Sequence, residues 1–162
     1  MTVPDDAYDR VRVTLDRMLD GNREALLACI ADLGEDVARA SKVSSETTLL
    51  GLLKHGAAVE RLWFQQRLAS LPAPEHDGST DSEGAWTLSP DDTVASVAAD
   101  FGRACERSRE IARTRALHDG YTDPAHGFVS VRWILAHLIE EHARHAGHAD
   151  ILRELLGGEA TY

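Results

Sequence analysis

At 162 residues and 17.7 kDa, the chain is long enough for one domain with a substantial core and too short for two comfortable ones. Its 43% hydrophobic and 27% charged residues fit a folded, water-facing protein and argue against disorder. A net charge of −10 and a pI near 5.2 offer no basic surface to phosphate backbones or anionic lipid, so neither nucleic acid nor membrane is an expected partner.

The opening MTVPDDAYDR is acidic and lacks an apolar signal region, and no long apolar run follows, so a cytoplasmic protein is expected. A first helix is predicted from Asp6 to Leu33, where Val11, Leu15, Met18, Leu26, Cys29, Ile30 and Leu33 recur at helical spacing, with Gly34 as its stop. Cys29 here and Cys105 later both fall on apolar stripes without CxxC spacing, and both read as buried free thiols. A polar link over residues 35–46 leads to Thr47, the expected cap of a second helix from Thr48 to Leu71, which Pro72 and Pro74 end.

The next stretch, LPAPEHDGSTDSEGAWTLS, is rich in Pro, Gly, Ser and Asp and reads as a loop with no element of its own. A third helix is predicted with Ser89 as N-cap, Pro90 at its first position and Asp91 and Asp92 in its first turn. Its stripe is Val94, Val97, Ala98, Phe101, Ala104, Cys105, Ser108, Ile111 and Ala112, and it closes near Leu117 before Gly120. A loop with Pro124 and Gly127 leads to Ser130, cap of a fourth helix that Gly157 and Gly158 end. No strand is expected. The predicted fold is all-α, one domain over residues 1–162, a four-helix bundle with a long crossover loop between helices two and three. Roughly 17 loop residues reach about 55 Å when extended, more than the ~35 Å of a bundle helix.

The chemistry concentrates in the fourth helix, WILAHLIEEHARHAGHADILRE, which carries four of the eight histidines. Glu141, His145 and His148 share the stripe that also holds Ile134, Leu138 and Leu152. Carboxylate and imidazole on a buried face need compensation, and a metal ion supplies it. Glu141 and His145 stand one turn apart, about 6 Å, which suits two ligands of one ion. The third ligand is expected from His55 in TLLGLLKHGAAVERLWF, flanked by Leu52, Val59 and Leu62 and loosened by Gly51 and Gly56.

Two imidazoles and one carboxylate suit Zn²⁺ first, and Ni²⁺ or Fe²⁺ also, with coordination positions left for water or substrate. His148 is expected as a partner of the ligands or a fourth ligand. His137 is expected to hydrogen-bond near them or to pack on Trp133 and Leu138. His142, about 100° around the helix from Glu141, is expected in solvent, as are His76, His118 and His126. Glu60, Arg61 and Trp63 are expected near a pocket mouth or in the core. HExxH, a Gly-rich phosphate loop and GxSxG are all absent.

KHGAAVERLWF together with RWILAHLIEEHARHAGHADILRE, about ninety residues apart, resembles the DinB/YfiT-like metalloenzyme superfamily, and more narrowly its actinobacterial mycothiol S-transferase branch. The resemblance implies a bundle with a long crossover and a metal held by His55, Glu141 and His145. Many members have His where this chain has Glu141, while the similar mycothiol-dependent maleylpyruvate isomerases have Glu there. It implies an S-transferase that joins a low-molecular-weight thiol such as mycothiol to electrophiles, the metal turning thiol into thiolate so that no protein cysteine or other catalytic side chain is needed. The expected partners are that thiol and the electrophile, with a homodimer open. The alternatives are a non-catalytic metal- or ligand-binding bundle of a stress-related kind and a metal-dependent hydrolase or isomerase on the same scaffold.

Overall fold

The computed structural model describes residues 5–45, 47–125 and 127–159. The described chain is mostly helical, with one small hairpin. Helix α1 (Asp5–Ala28) buries Leu19, Arg23 and Leu26. Of the predicted stripe, Leu26, Cys29 and Ile30 are buried and Leu15 and Leu33 pack against the core, whereas Val11 and Met18 are 44% and 52% exposed. The helix also ends earlier than expected, because Asp32 takes the left-handed turn (φ 62°), while Gly34, with φ −71°, starts the short helix α2 (Glu35–Arg39) inside the predicted link.

Helix α3 (Leu49–Glu60) is capped by Thr48, not Thr47: its hydroxyl accepts the Gly51 N–H at 2.9 Å. Every residue of α3 except Lys54 is buried, as an apolar helix between neighbours must be. The predicted continuation to Leu71 is present in another form, as a π-helical segment over Arg61–Leu68. Its wider turns put Arg61, Trp63, Phe64, Gln65 and Leu68 inward together.

The segment after it is not a bare loop. It forms two 3₁₀ turns, Ala73–Glu75 and Gly84–Trp86. Buried Arg61 fastens it by gripping Asp77 as well as Asp100 of the following helix, at 2.7 and 2.9 Å for the latter. Lys54 holds the Thr87 carbonyl at 2.9 Å and Asp92 at 2.8 Å. Helix α4 (Val94–Arg113) starts later than expected. Thr93 and Ser96 form a reciprocal capping box there, whereas Ser89 to Asp92 is a turn in which Asp92 accepts the Ser89 N–H. Val97, Phe101, Ala104, Cys105, Ser108, Ile111 and Ala112 are buried, matching the predicted stripe.

The unexpected element is an antiparallel hairpin, β1 (Gly120–Asp123) with β2 (Gly127–Ser130). Four-residue strands are too short to show a period that would mark them. Gly120, expected as a helix stop, instead pairs with Ser130, where any Cβ would lie 2.0 Å from the Val129 carbonyl oxygen. Helix α5 (Val131–Leu155) begins and ends as expected: the Ser130 hydroxyl accepts the Trp133 N–H at 3.2 Å, and Gly157 follows at φ 89°.

Helix α5 packs on α1 and α3, and α3 packs on α4. Two apolar clusters result, one around Leu26, Leu53, Phe101 and Leu152, the other around Leu19, Phe64, Ile134 and Leu138. Between them each long helical element contributes one buried polar residue, namely Arg23, Glu60, Ser108 and His142. Among the described residues no helix is long and apolar enough to cross a membrane.

Candidate metal centre

His55 is held in the middle of α3, and Glu141 and His145 stand one turn apart on the face of α5 that meets it. One ligand atom from each of the three lies within 4.8 Å of the others. His55 and His145 are 6% and 7% exposed, so the imidazoles are enclosed, while the Glu141 side chain at 17% faces the opening. The loop segment orients His55: its Nδ1 donates to the Ser82 carbonyl at 2.8 Å, and Trp86 stacks on the ring at 4.2 Å with planes 20° apart.

That hydrogen bond fixes the tautomer of the neutral ring. With the proton on Nδ1, Nε2 presents a lone pair, and it sits 3.3 Å from Glu141 Oε1. The His145 Nε2 approaches the same oxygen at 3.0 Å, and the buried His145 Nδ1 has no hydrogen-bond partner among the described residues. Lone pairs facing at this distance repel unless a cation, proton or metal ion, lies between them. The donor set of two imidazoles and a carboxylate, with a carbonyl behind one imidazole, fits Zn²⁺ in type and in this arrangement. The Glu141 carboxyl is held well below the usual carboxylate range by the adjoining imidazoles of His145 and then His55, against the opposing effect of burial.

The other sequence candidates lie elsewhere. His148 is exposed, its ring edge-on to His145 at 5.9 Å, and it is not part of the three-residue cluster. His137 stacks on Trp133 at 4.9 Å and meets Trp63 edge-on at 4.8 Å, the packing alternative of the two expected for it. Its pKa is lowered by burial.

His142 corrects the sequence reading. It is fully buried, not solvated, and its Nε2 donates to Glu60 Oε1 at 2.9 Å. The buried arc of α5 is wider than one stripe because the helix packs against α1 as well as α3. Glu60 is likewise no pocket residue: it is fully buried and takes two Arg23 hydrogen bonds, each 2.7 Å. Burial pushes its carboxyl up, yet Arg23 and His142 outweigh that and bring it to about 2. Ser82 and Trp86 went unnoticed in the sequence. A backbone carbonyl leaves no residue signature, but a lone Trp inside a Gly- and Ser-rich loop is a signal of docking. His76 bonds to the Leu71 carbonyl at 3.0 Å, and His118 is exposed; His126 lies outside the described residues.

A family-wide sequence model described as Mycothiol-S-transferase matches residues 14–158. The chain belongs to the mycothiol-S-transferase family. The match covers all three residues of the cluster and agrees with the branch of the DinB/YfiT-like superfamily that the two motifs resemble. No curated protein matches the chain. Within this family setting the cysteines need no role in chemistry: Cys29 and Cys105 are buried, and the Cys105 thiol is pushed up by burial and by Glu60, away from reactivity.

Proposed function

We propose that the chain is a metal-dependent S-transferase that joins a mycothiol-like thiol to an electrophile. His55, Glu141 and His145 would hold the ion, Zn²⁺ by preference. The observation that carries this reading is the convergence of two imidazole Nε2 atoms on one Glu141 oxygen, with His55 oriented from behind by Ser82. A divalent cation at such a position lowers the pKa of a coordinated thiol and keeps its sulfur anionic at neutral pH.

The residues of the chain prepare that chemistry. Ser82 and Trp86 fix the His55 ring so that one nitrogen faces the cluster. Glu141 adds a negative charge that offsets a divalent ion. The chain contributes no nucleophile, because the sulfur comes with the co-substrate. In the transfer the sulfur forms a bond to the electrophilic carbon, the leaving group departs with its electron pair, and the thiol proton passes to solvent. We further propose that α1, α3 with its π-helical continuation, α4 and α5 form one four-helix-bundle domain, with residues 69–93 as its crossover.

The test incubates zinc-loaded and chelator-treated protein with mycothiol and monobromobimane. A zinc-dependent rate above the uncatalysed background is expected. Zinc that raises thermal stability without any turnover contradicts the enzyme reading and favours a metal-binding bundle without catalysis.

A further inference from the structure

A cavity of about 410 Å³ opens between the hairpin, the π-helical segment and the first turn of α5, lined by Trp63, Arg67, Tyr121, Phe128, Val129 and Trp133. We propose that it binds the ring system of an aromatic electrophile, an assignment that rests on the transferase reading above. Four of its six lining residues are aromatic. Phe128 and Trp133 stay 64% and 48% exposed, although burying them elsewhere would be favourable. A volume of this size suits a small ligand with one or two rings.

The pocket and the three-residue cluster both lie along α5. Trp133 stacks on His137, which stands one turn before Glu141. From Trp133 to Glu141 the helix rises about 12 Å, the length of a fused bicyclic ring with a short reactive arm. A ring held against Trp133 and Phe128 therefore delivers its arm toward the cluster.

Polar groups in the wall select the kind of ring. The Arg67 guanidinium lies 4.2 Å over the Trp63 ring and beside the buried Tyr121 hydroxyl. Together they offer an electron-poor ring bearing carbonyl or nitro oxygens a cation and a hydroxyl. The opposite flank of the cluster differs. Beside Trp86 lies a cavity lined by Ser45, Thr47, Thr48, Thr87 and Leu88, rich in hydroxyls and suited to the polar body of the thiol. Apolar and polar substrates thus have separate approaches.

The test uses two exposed positions, Trp133→Ala and Phe128→Ala, in zinc-loaded protein. Binding of the unreactive tetramethylbimane is measured by calorimetry, and monobromobimane is compared with iodoacetamide as electrophile. In the first reaction a sulfur–carbon bond forms as bromide leaves; in the second, iodide leaves. Both variants are expected to weaken tetramethylbimane binding at least tenfold. Both are expected to lower the ratio of kcat/KM for monobromobimane over iodoacetamide at least tenfold, through KM. Unchanged probe affinity or an unchanged ratio in both variants overturns the proposal. So does a dimer that both variants split while probe affinity stays constant, since the face is then an interface between copies. If neither electrophile is turned over but probe binding still depends on Trp133, the transferase reading fails and the aromatic pocket stands.

Discussion

His55 and His145 direct their Nε2 atoms at one oxygen of Glu141, an arrangement that a shared cation stabilises. The three residues were legible because each breaks an apolar helical pattern. The same logic failed for His142 and Glu60, which also break the pattern but pair with each other in the core, Arg23 completing the group on Glu60. A sequence shows that a polar residue lies on a helix, not which neighbour neutralises it. The Glu60 network makes its own prediction. Its carboxyl titrates at about 2 when folded and near 4.5 otherwise, so its stabilisation is complete above about pH 4.5 and fades as pH falls toward 2. Glu60→Gln leaves the buried Arg23 charge uncompensated and is expected to cost about 3–5 kcal/mol at pH 7. Urea unfolding of both proteins at pH 6 and pH 3 checks this: the gap between them should shrink at the lower pH.

At the scale of elements, the helices rich in apolar residues were readable and their ends were not. Ser130 and Gly157 bound α5 as expected because cap and stop stand alone there. Around α4 two start signals compete, Ser89-Pro90 and Thr93 with Ser96, and only the second forms a capping box. Thr93→Ala is therefore expected to lower stability by about 1 kcal/mol, and Ser89→Ala by less than about 0.5 kcal/mol. Denaturant midpoints of the two variants decide between the two starts. The hairpin and the π-helical segment escaped the sequence for a physical reason. Strands of four residues carry no period, and a π turn follows none of the helical spacing on which pattern reading depends.

Across the molecule, two apolar clusters are separated by the layer of Arg23, Glu60, Ser108 and His142, while the group of His55, Glu141 and His145 lies on the meeting face of α3 and α5. A ligand that binds only the folded chain adds stability by mass action. Zinc at a hundredfold over its Kd is expected to add about 2.7 kcal/mol, roughly 5–10 °C in Tm for a chain of this size. A thermal melt with and without chelator measures it, and no shift would mean that the folded state does not bind zinc preferentially.

A single divalent ion held by His55, Glu141 and His145 leaves a stoichiometric signature. Zinc content after dialysis, determined by mass spectrometry on the wild type, Glu141→Ala and His148→Ala, addresses it most directly. One zinc per chain is expected in the wild type and in His148→Ala, and less than about a tenth of that in Glu141→Ala, since removing one of three ligands weakens binding by far more than the 10–100-fold of an outer partner. Equal zinc in all three proteins, or loss in His148→Ala alone, would contradict it.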